Sequence, residues 1–198
     1  MNMNIFLLLS ANEKGRICDN LGLSLNEYAT VSYVLNTCNI LGKPKDIYNV
    51  KGDGNCLFRA LSFAVCGKEE NHRYLRDVLT TFMCGTKEGI AICKLRDARV
   101  PQKYIQTSRM ADDCVWGTEV EIQAASSFFN VPIFVYTKYG VKYDWLEFKP
   151  PNVRKSKGAI YLHHRNEDHY DVVVSVENNI EMAQVRVIIS FLHHLFFK

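Results

Sequence analysis

The spacing of apolar residues changes along the chain. Over the first two thirds they recur every three or four positions, which is the period of a helix that buries one face. Four helices are predicted, each bounded by a capping box, a glycine or an asparagine: from Ser24–Glu27 to Gly42, from Cys56 to Gly67, over Asn71–Met83, and from Thr118–Glu121 to Asn130. Residues 85–113 predict helix mixed with loop.

The last third of the chain carries short β-branched and aromatic runs, which are typical of strands. Four strands are predicted: Val131–Tyr136, Val141–Trp145, Ala159–Leu162 and Tyr170–Val176. A turn at Gly140 joins the first two, and the polar segment His163–His169 joins the last two. Helices followed by hairpin-connected strands predict an α+β fold, with a largely antiparallel central sheet flanked by helices in a single domain.

Composition excludes several classes of protein. The chain has 198 residues and a formal net charge of only +3, and its basic residues are scattered, so it offers no basic face for nucleic acid. Its seven cysteines include no CxxC pair, which argues against a disulfide framework or a zinc site and favours a reducing compartment, cytoplasm or nucleus. No apolar run approaches the roughly 18 residues of a membrane span, so we expect a soluble intracellular domain.

The segment Lys51–Ala60 carries the first candidate chemistry. Its two glycines allow a tight turn, and the turn delivers Cys56 to the first position of an apolar helix. Unpaired N–H groups and the helix dipole at that position stabilise an anion, so we expect a lowered thiol pKa and a site for an oxyanion. The alternative is that Cys56 is a buried apolar residue, as the other six cysteines are expected to be.

A nucleophilic thiol also needs a base, and the base needs a group that orients it. Of the six histidines, His169 ends a polar loop and opens an apolar strand. Residues two apart on a strand point the same way, so Asp171 can hold the imidazole in the tautomer that accepts a thiol proton. The alternative for Asp171 is a polar residue on an exposed strand face.

Three blocks of the sequence resemble the signature blocks of the OTU (ovarian-tumour) domain cysteine proteases. They are Asp53–Ala60, Trp116–Gly117 leading to Glu121–Ala125, and His169–Asp171, in the family's order and at spacings typical of its compact members. The resemblance covers about residues 50–176, and three blocks in register are far more specific than one. It implies the OTU papain-like cysteine protease fold.

The resemblance also implies roles for the residues that match. Cys56 matches the nucleophile, His169 the general base, and Asp171 the third member of the catalytic triad. In some relatives the histidine and the cysteine align fully only on substrate binding, so an incompletely aligned free site is compatible with the assignment.

Three further positions match the family pattern around this triad. Asp53 matches an aspartate that helps to order the loop at the oxyanion site, and Asn55 and the backbone N–H of Cys56 lie where that site would form. Trp116 matches the aromatic residue of the middle block and is expected to pack near the catalytic histidine. The alternative for Trp116 is a core aromatic residue that precedes a helix.

Members of this family hydrolyse the isopeptide or peptide bond after the C-terminal Gly-Gly of ubiquitin, and some act on ubiquitin-like modifiers. The resemblance therefore implies a cysteine-dependent deubiquitinase that forms a Cys56 thioester, needs no metal or other cofactor, and binds ubiquitin or polyubiquitin chains. The alternatives are an OTU-like protease that cleaves a polyprotein, an inactive ubiquitin-binding module, and a zinc-binding interaction protein.

Both ends of the chain lie outside the matching blocks. Residues 1–23 form an unassigned N-terminal extension, residues 24–176 the expected catalytic domain, and residues 177–198 an apolar C-terminal extension. We expect the most apolar part of the latter, Val185–Lys198, to pack on the domain as a strand or helix. The alternative is a segment that contacts a partner or a membrane surface.

Overall fold

The computed structural model describes residues 5–26, 39–94, 100–151 and 158–177. The helices in these ranges are α1 (Ala11–Leu21), α2 (Cys56–Cys66), α3 (His72–Gly85), α4 (Lys87–Lys94), α5 (Pro101–Ser108) and α6 (Glu119–Phe129). The strands are β1 (Ile5–Phe6), β2 (Asn39–Ile40), β3 (Ile47–Tyr48), β4 (Ile133–Tyr139), β5 (Lys142–Phe148), β6 (Ile160–Arg165) and β7 (His169–Val173).

Five of the strands form one sheet in the order β3-β7-β6-β4-β5. Its pairs are antiparallel except for β4 with β6, which run parallel. Helices α2 and α6 pack against this sheet, α2 mainly on β7. The predicted α+β fold with a largely antiparallel sheet is therefore confirmed.

Helix α2 lies at the centre of the fold because it is apolar on nearly every side. Leu57, Phe58, Leu61 and Val65 are buried, and the helix packs against α1, α3 and β7. It ends at Gly67, whose φ of 75° lies in the left-handed region that glycine adopts readily. The predicted helix and its end are both confirmed.

The helices around α2 also follow the sequence pattern. Helix α3 covers the predicted range and continues two residues past Met83. Thr118 and Glu121 form the predicted capping box of α6, and Asn130 ends that helix with a φ of 55°. The mixed region 85–113 contains α4 and α5, and Pro101 begins α5, where its missing N–H has no intrahelical acceptor.

The connection between the last two strands is shorter than the sequence pattern predicts. Strand β6 continues through polar residues to Arg165, and β7 begins at His169, because the two strands pair antiparallel over this stretch. Asn166 and Glu167, with φ values of 53° and 64°, close the turn between them. The pairing places Arg165 directly opposite His169.

The sequence pattern left the first 23 residues unassigned, and the structure places α1 there. Ser10 and Glu13 form a capping box at its start, and Gly22 ends it in the left-handed region. Ile17, Cys18 and Leu21 belong to the same hydrophobic core as α2. Residues 11–21 therefore help to bury the helix that carries Cys56.

Two predicted segments lie largely outside the described residues. Residues 27–38 of the helix predicted from Ser24 to Gly42 are not described. Residues 178–198 of the C-terminal extension are not described either. The last turn predicted for that helix is wrong, because Asn39 and Ile40 pair antiparallel with β1 as a strand. Backbone pairing with the N-terminal segment outweighs the helical spacing of apolar residues there.

Candidate active site

A glycine-containing loop leads into α2 and carries Cys56 to its first position. Gly54 has a φ of 82°, and a Cβ atom there would overlap the backbone carbonyl of Cys114. Only glycine satisfies both conditions, since it lacks the Cβ and adopts positive φ readily. The turn predicted from the two glycines is present, and it is packed tightly against the segment at residue 114.

Cys56 is 4% exposed, and this burial raises the pKa of its thiol above the ordinary value. Backbone N–H groups of Tyr170, Leu57 and Cys56 itself lower the pKa, but burial has the larger effect. The lowered pKa predicted from the helix N-terminus is therefore wrong. The predicted position on the helix is correct, but the prediction did not include the loss of solvent around the sulfur.

His169 and Asp171 contact each other as the two-residue strand spacing predicted. The Nε2 atom of His169 lies 2.9 Å from Oδ1 of Asp171. A carboxylate accepts hydrogen bonds, so Nε2 carries the proton and Nδ1 is left with a lone pair. This is the tautomer that can accept a proton from a thiol.

The Asp171 side chain is only 1% exposed, and three groups contact its carboxylate: the His169 ring and the two described next. Its Oδ1 also accepts a hydrogen bond of 3.1 Å from the backbone N–H of Val50, and its Oδ2 lies 3.5 Å from Nε of Arg165. A buried carboxylate needs such partners to stay ionised. The alternative of an exposed polar residue at this position is excluded.

The start of β7 and the Cys56 loop lie against each other. A Cβ atom on Gly52 would lie 3.5 Å from Cε1 and 3.6 Å from Nδ1 of His169, so the loop passes the Nδ1 edge of the ring. The backbone of Tyr170 contacts the Cys56 thiol. The structure has no hydrogen bond between the Cys56 thiol and the His169 ring, both of which it describes. The two groups are neighbours whose alignment is incomplete.

Asp53 holds the loop in place through ion pairs and a backbone contact. Both of its carboxylate oxygens accept from Arg59, at 3.0, 3.1 and 2.6 Å, and Oδ1 also accepts from the N–H of Asn55 at 3.1 Å. The Arg59 guanidinium keeps the pKa of Asp53 well below its usual range. Asp53 is thus ionised at neutral pH and braces the loop three residues before Cys56.

Asn55 is buried, and its side chain is bonded to Arg76 and Cys114. Its Oδ1 accepts from Nη2 of Arg76 at 2.8 Å and from the N–H of Cys114 at 3.0 Å, while its Nδ2 contacts the Cys114 sulfur at 3.7 Å. Its own backbone N–H is bonded to Asp53. All of these bonds go to the loop segments around Cys56, and the predicted place of Asn55 at the oxyanion site stays a prediction. The N–H of Cys56 remains at the helix end.

Trp116 lies on the loop that crosses the first turn of α2. The next residue, Gly117, packs so closely that a Cβ atom on it would overlap the Leu57 side chain. Trp116 itself is 59% exposed, so the alternative of a core aromatic residue is wrong. The contact of Gly117 with Leu57 brings the backbone next to Trp116 close to the helix end that carries Cys56.

Several residues that build the site were not predicted. Arg76 lies on the buried face of α3 between Leu75 and Leu79, and an arginine within an apolar helical stripe is the one signal that could have revealed it. Arg59 and Arg165 reach Asp53 and Asp171 from a helix and a neighbouring strand, and no local pattern predicts such contacts.

The thiol pKa alone does not distinguish Cys56 from the other described cysteines. Burial raises the pKa of Cys18 to about 12 and of Cys93 to about 11, and it raises those of Cys66 and Cys84 as well. What distinguishes Cys56 is its place at a helix N-terminus beside a histidine with an ordered carboxylate partner.

The described ranges offer neither a metal site nor a membrane-spanning helix. They contain no cluster of three or more histidine, cysteine, aspartate or glutamate side chains that could hold a metal ion. None of the helices described is long and apolar enough to cross a membrane.

A protein-family model described as OTU-like cysteine protease matches residues 51–170. The match begins in the loop before Cys56 and ends one residue after His169. It therefore spans the first two blocks from which the resemblance was drawn and all but the last residue, Asp171, of the third.

The chain is also similar to curated proteins of Arabidopsis thaliana. It is 30% identical over 125 residues to OVARIAN TUMOR DOMAIN-containing deubiquitinating enzyme 9, a match that covers 63% of this chain and 34% of that protein. It is 29% identical over 130 residues to OVARIAN TUMOR DOMAIN-containing deubiquitinating enzyme 12, covering 65% of this chain and 55% of that protein. The chain thus spans only about a third to a half of these relatives.

Solved structures show the same fold at lower sequence identity. The OTU domain of OTUD1 has a TM-score of 0.53 and 23% identity, over 64% of this chain and 83% of that one. The viral OTU domain protease from Dera Ghazi Khan virus has a TM-score of 0.52 and 21% identity, over 64% and 78% of the two chains. The fold expected from the sequence blocks is thus supported by an independent comparison.

Proposed function

Because the chain belongs to the family of OTU-like cysteine proteases, we propose that it is a cysteine-dependent deubiquitinase. It would hydrolyse the peptide or isopeptide bond after the C-terminal Gly-Gly of ubiquitin. The observation that carries the proposal is the His169–Asp171 pair, ordered by a 2.9 Å hydrogen bond, against the loop that carries Cys56. The relatives named as deubiquitinating enzymes support the choice of substrate.

The first step is attack by Cys56 on the carbonyl carbon of the terminal glycine. Since burial raises the thiol pKa, the sulfur needs a base that takes its proton as it attacks, and Nδ1 of His169 is the free acceptor. The carbonyl oxygen becomes an oxyanion at the N-terminal end of α2, where the Cys56 N–H has no intrahelical acceptor. Asp171 stabilises the imidazolium that forms.

The second and third steps release the two products. His169 returns the proton to the departing amine nitrogen, the carbon–nitrogen bond breaks, and a thioester joins Cys56 to the ubiquitin glycine. His169 then accepts a proton from water, which attacks the thioester carbonyl. The carbon–sulfur bond breaks, the free carboxylate leaves, and the thiol regains a proton. No metal or cofactor is needed for these steps.

A reducing compartment, the cytoplasm or nucleus, is proposed with this activity. The nucleophile must stay a free thiol, and all six described cysteines are free. The described part of residues 24–176 holds every residue of the proposed triad. We propose that residues 177–198 pack on this domain.

The proposal is tested with ubiquitin that carries a thiol-reactive electrophile at its C-terminus, with the adduct read by intact mass. We expect one ubiquitin to be added to the wild type and none to Cys56→Ala. Cys114→Ala is the matched control, because Cys114 is the exposed thiol among the described cysteines and lies within 3.7 Å of the Asn55 amide. It should form the adduct as the wild type does.

The negative outcomes separate the alternatives. A wild type that forms no adduct, while a small alkylating reagent still labels Cys56 rapidly at neutral pH, has an active thiol and a substrate other than ubiquitin, such as a polyprotein. Binding of ubiquitin without any reactivity of Cys56 would identify a binding module. Adduct formation on Cys114 would contradict the assignment of the nucleophile.

A further inference from the structure

Arg76 has an environment that neither the family resemblance nor the proposed reaction accounts for. It is 0% exposed and lies on the face of α3 that packs toward α2, beside Leu75 and Leu79. A fully buried arginine is costly unless its donors are used, since water no longer solvates its charge. Its hydrogen-bond partners therefore indicate why it is there.

The guanidinium of Arg76 joins two loops. Its Nη2 donates to Oδ1 of Asn55 at 2.8 Å and to the carbonyl of Val115 at 2.8 Å. Its Nη1 donates to the carbonyl of Met110 at 3.0 Å. Asn55 directly precedes Cys56, and Val115 directly precedes Trp116. One side chain thus binds the neighbours of the nucleophile and of the exposed aromatic residue.

Two more contacts tie these parts together. The central carbon of the guanidinium lies 4.0 Å from the ring centroid of Phe58, in the first turn of α2. The N–H of Cys114 donates to the same Asn55 Oδ1 at 3.0 Å. Cys114 has a φ of 61°, a conformation that a residue other than glycine adopts only when its surroundings hold it. The loop at residue 114 is therefore held in a strained shape at the point where it meets Asn55.

We propose that Arg76 and Asn55 form a clamp that positions the Cys56 nucleophile against the loop of residues 110–117. Arg76 is a positioning residue in this proposal, because it acts on Cys56 through Asn55 and Phe58 and does not touch the reacting atoms. Neither loop takes part in strand pairing, so side-chain hydrogen bonds are needed to fix the position of one loop relative to the other. A displacement of about 1 Å at a reacting group can cost roughly 10²-fold in rate.

An arginine is required for this arrangement. Its planar group presents several N–H donors in a fixed fork, so it can reach three acceptors on two loops at once. A lysine carries the same charge on a single rotating ammonium group and cannot reproduce that geometry. Arg76→Lys should therefore recover only part of what Arg76→Met loses.

The kinetic part of this inference rests on the proposed function, so the test also includes a measurement that needs no substrate. Hydrogen–deuterium exchange is followed in peptides covering residues 51–58 and 111–118, for the wild type, Arg76→Met and Asn55→Ala. We expect both peptides to exchange faster in both variants, since either change opens the clamp. The kcat for a fluorogenic ubiquitin substrate should fall about 10- to 100-fold in Arg76→Met, with KM changed less than about threefold.

Two variants of the same helix serve as controls. Arg73→Met removes an arginine that is half exposed and that, among the residues described, is ion-paired with Asp77 alone, at 3.6 Å; it should leave exchange and kcat unchanged. Leu79→Ala destabilises the core at a buried position one turn from Arg76 and removes none of the hydrogen bonds of the clamp. It should lower the unfolding temperature, but it should not accelerate exchange in both loop peptides.

The outcomes are distinct. Unchanged exchange at residues 51–58 in a folded Arg76→Met variant would overturn the clamp. Faster exchange with an unchanged kcat would show that the clamp does not position Cys56, and would overturn its catalytic part. A wild type that does not cleave ubiquitin would count against the proposed function alone, because the exchange measurement still decides the clamp.

Discussion

The two halves of the candidate site are held in place by different means. On one side, His169 and Asp171 lie in β7, whose backbone is fixed by pairing with β6 and β3. On the other side, Cys56 follows a loop without sheet pairing, which is fixed by side chains: Asp53 with Arg59, and Asn55 with Arg76. A strand can position a base with few side-chain contacts, whereas a loop needs an ordered network of charges and hydrogen bonds.

The two halves of the site meet without a direct hydrogen bond. His169 and Asp171 form one hydrogen-bonded pair, and the loop before Cys56 is held separately by Arg59 and Arg76. The halves meet at Gly52 and at the backbone of Tyr170, where no side-chain hydrogen bond joins the thiol to the imidazole. Under the proposed function, substrate binding would complete this alignment.

The largest expected effect tests the strand half. Asp171→Ala removes the acceptor of both His169 Nε2 and the Val50 N–H, so the imidazole loses its fixed tautomer, and kcat should fall roughly 10²- to 10⁴-fold. Asp171→Asn keeps an oxygen acceptor and should stay within about tenfold of the wild type. Steady-state kinetics with a ubiquitin substrate measure both. An alanine variant with nearly normal kcat would show that His169 is oriented by something else.

The next effect tests the loop half through its backbone. Gly54→Ala adds a Cβ at a φ of 82° and against the Cys114 carbonyl, so we expect a loss of about 2–4 kcal/mol in the free energy of unfolding. Gly117→Ala is the matched control, because Gly117 has no positive φ and its added Cβ meets the Leu57 side chain, closest at Cδ2, and no backbone atom; it should cost about 1 kcal/mol. Chemical denaturation compares them. Equal losses would contradict a rigid contact between the loops.

The smallest expected effect tests the ion pair of the loop. The pKa of Asp53 is lower in the folded chain than in the unfolded chain, so its contribution to stability is complete above the unfolded value and is lost as pH falls. The difference in free energy of unfolding between the wild type and Asp53→Asn should be about 1–2 kcal/mol at pH 6 and should shrink steadily below about pH 4. Urea titrations at several pH values measure it. A difference independent of pH would show that the carboxylate charge does not brace the loop.

The sequence alone predicted a large part of the fold, for a local reason. Helix α2 ends at Gly67, and α6 begins at Thr118 with its capping box, because glycine conformations and cap hydrogen bonds act within a few residues. The contact between His169 and Asp171 was predictable for the same reason, since strand geometry fixes the direction of residues two apart.

Other features could not be read from local pattern. Residues 39–40 have helical apolar spacing but form a strand, because their partners lie more than 30 positions away, at Ile5 and Phe6 in the N-terminal segment. The raised pKa of the Cys56 thiol depends on the atoms that cover it, and these include β7, more than a hundred residues further along the chain. Burial is a property of the packed molecule, and no helix-end rule contains it.

The sequence by itself predicted which residues are candidates for the chemistry, and it determined where most helices and strands begin and end. Only the tertiary structure decided how those residues are held: Asn55 turned toward Arg76, Asp171 placed between Val50 and Arg165, and Trp116 left exposed beside α2. The physical reason is one of range. Backbone conformation responds to near neighbours in sequence, whereas burial, ion pairing and hydrogen-bond direction depend on groups that only folding brings together.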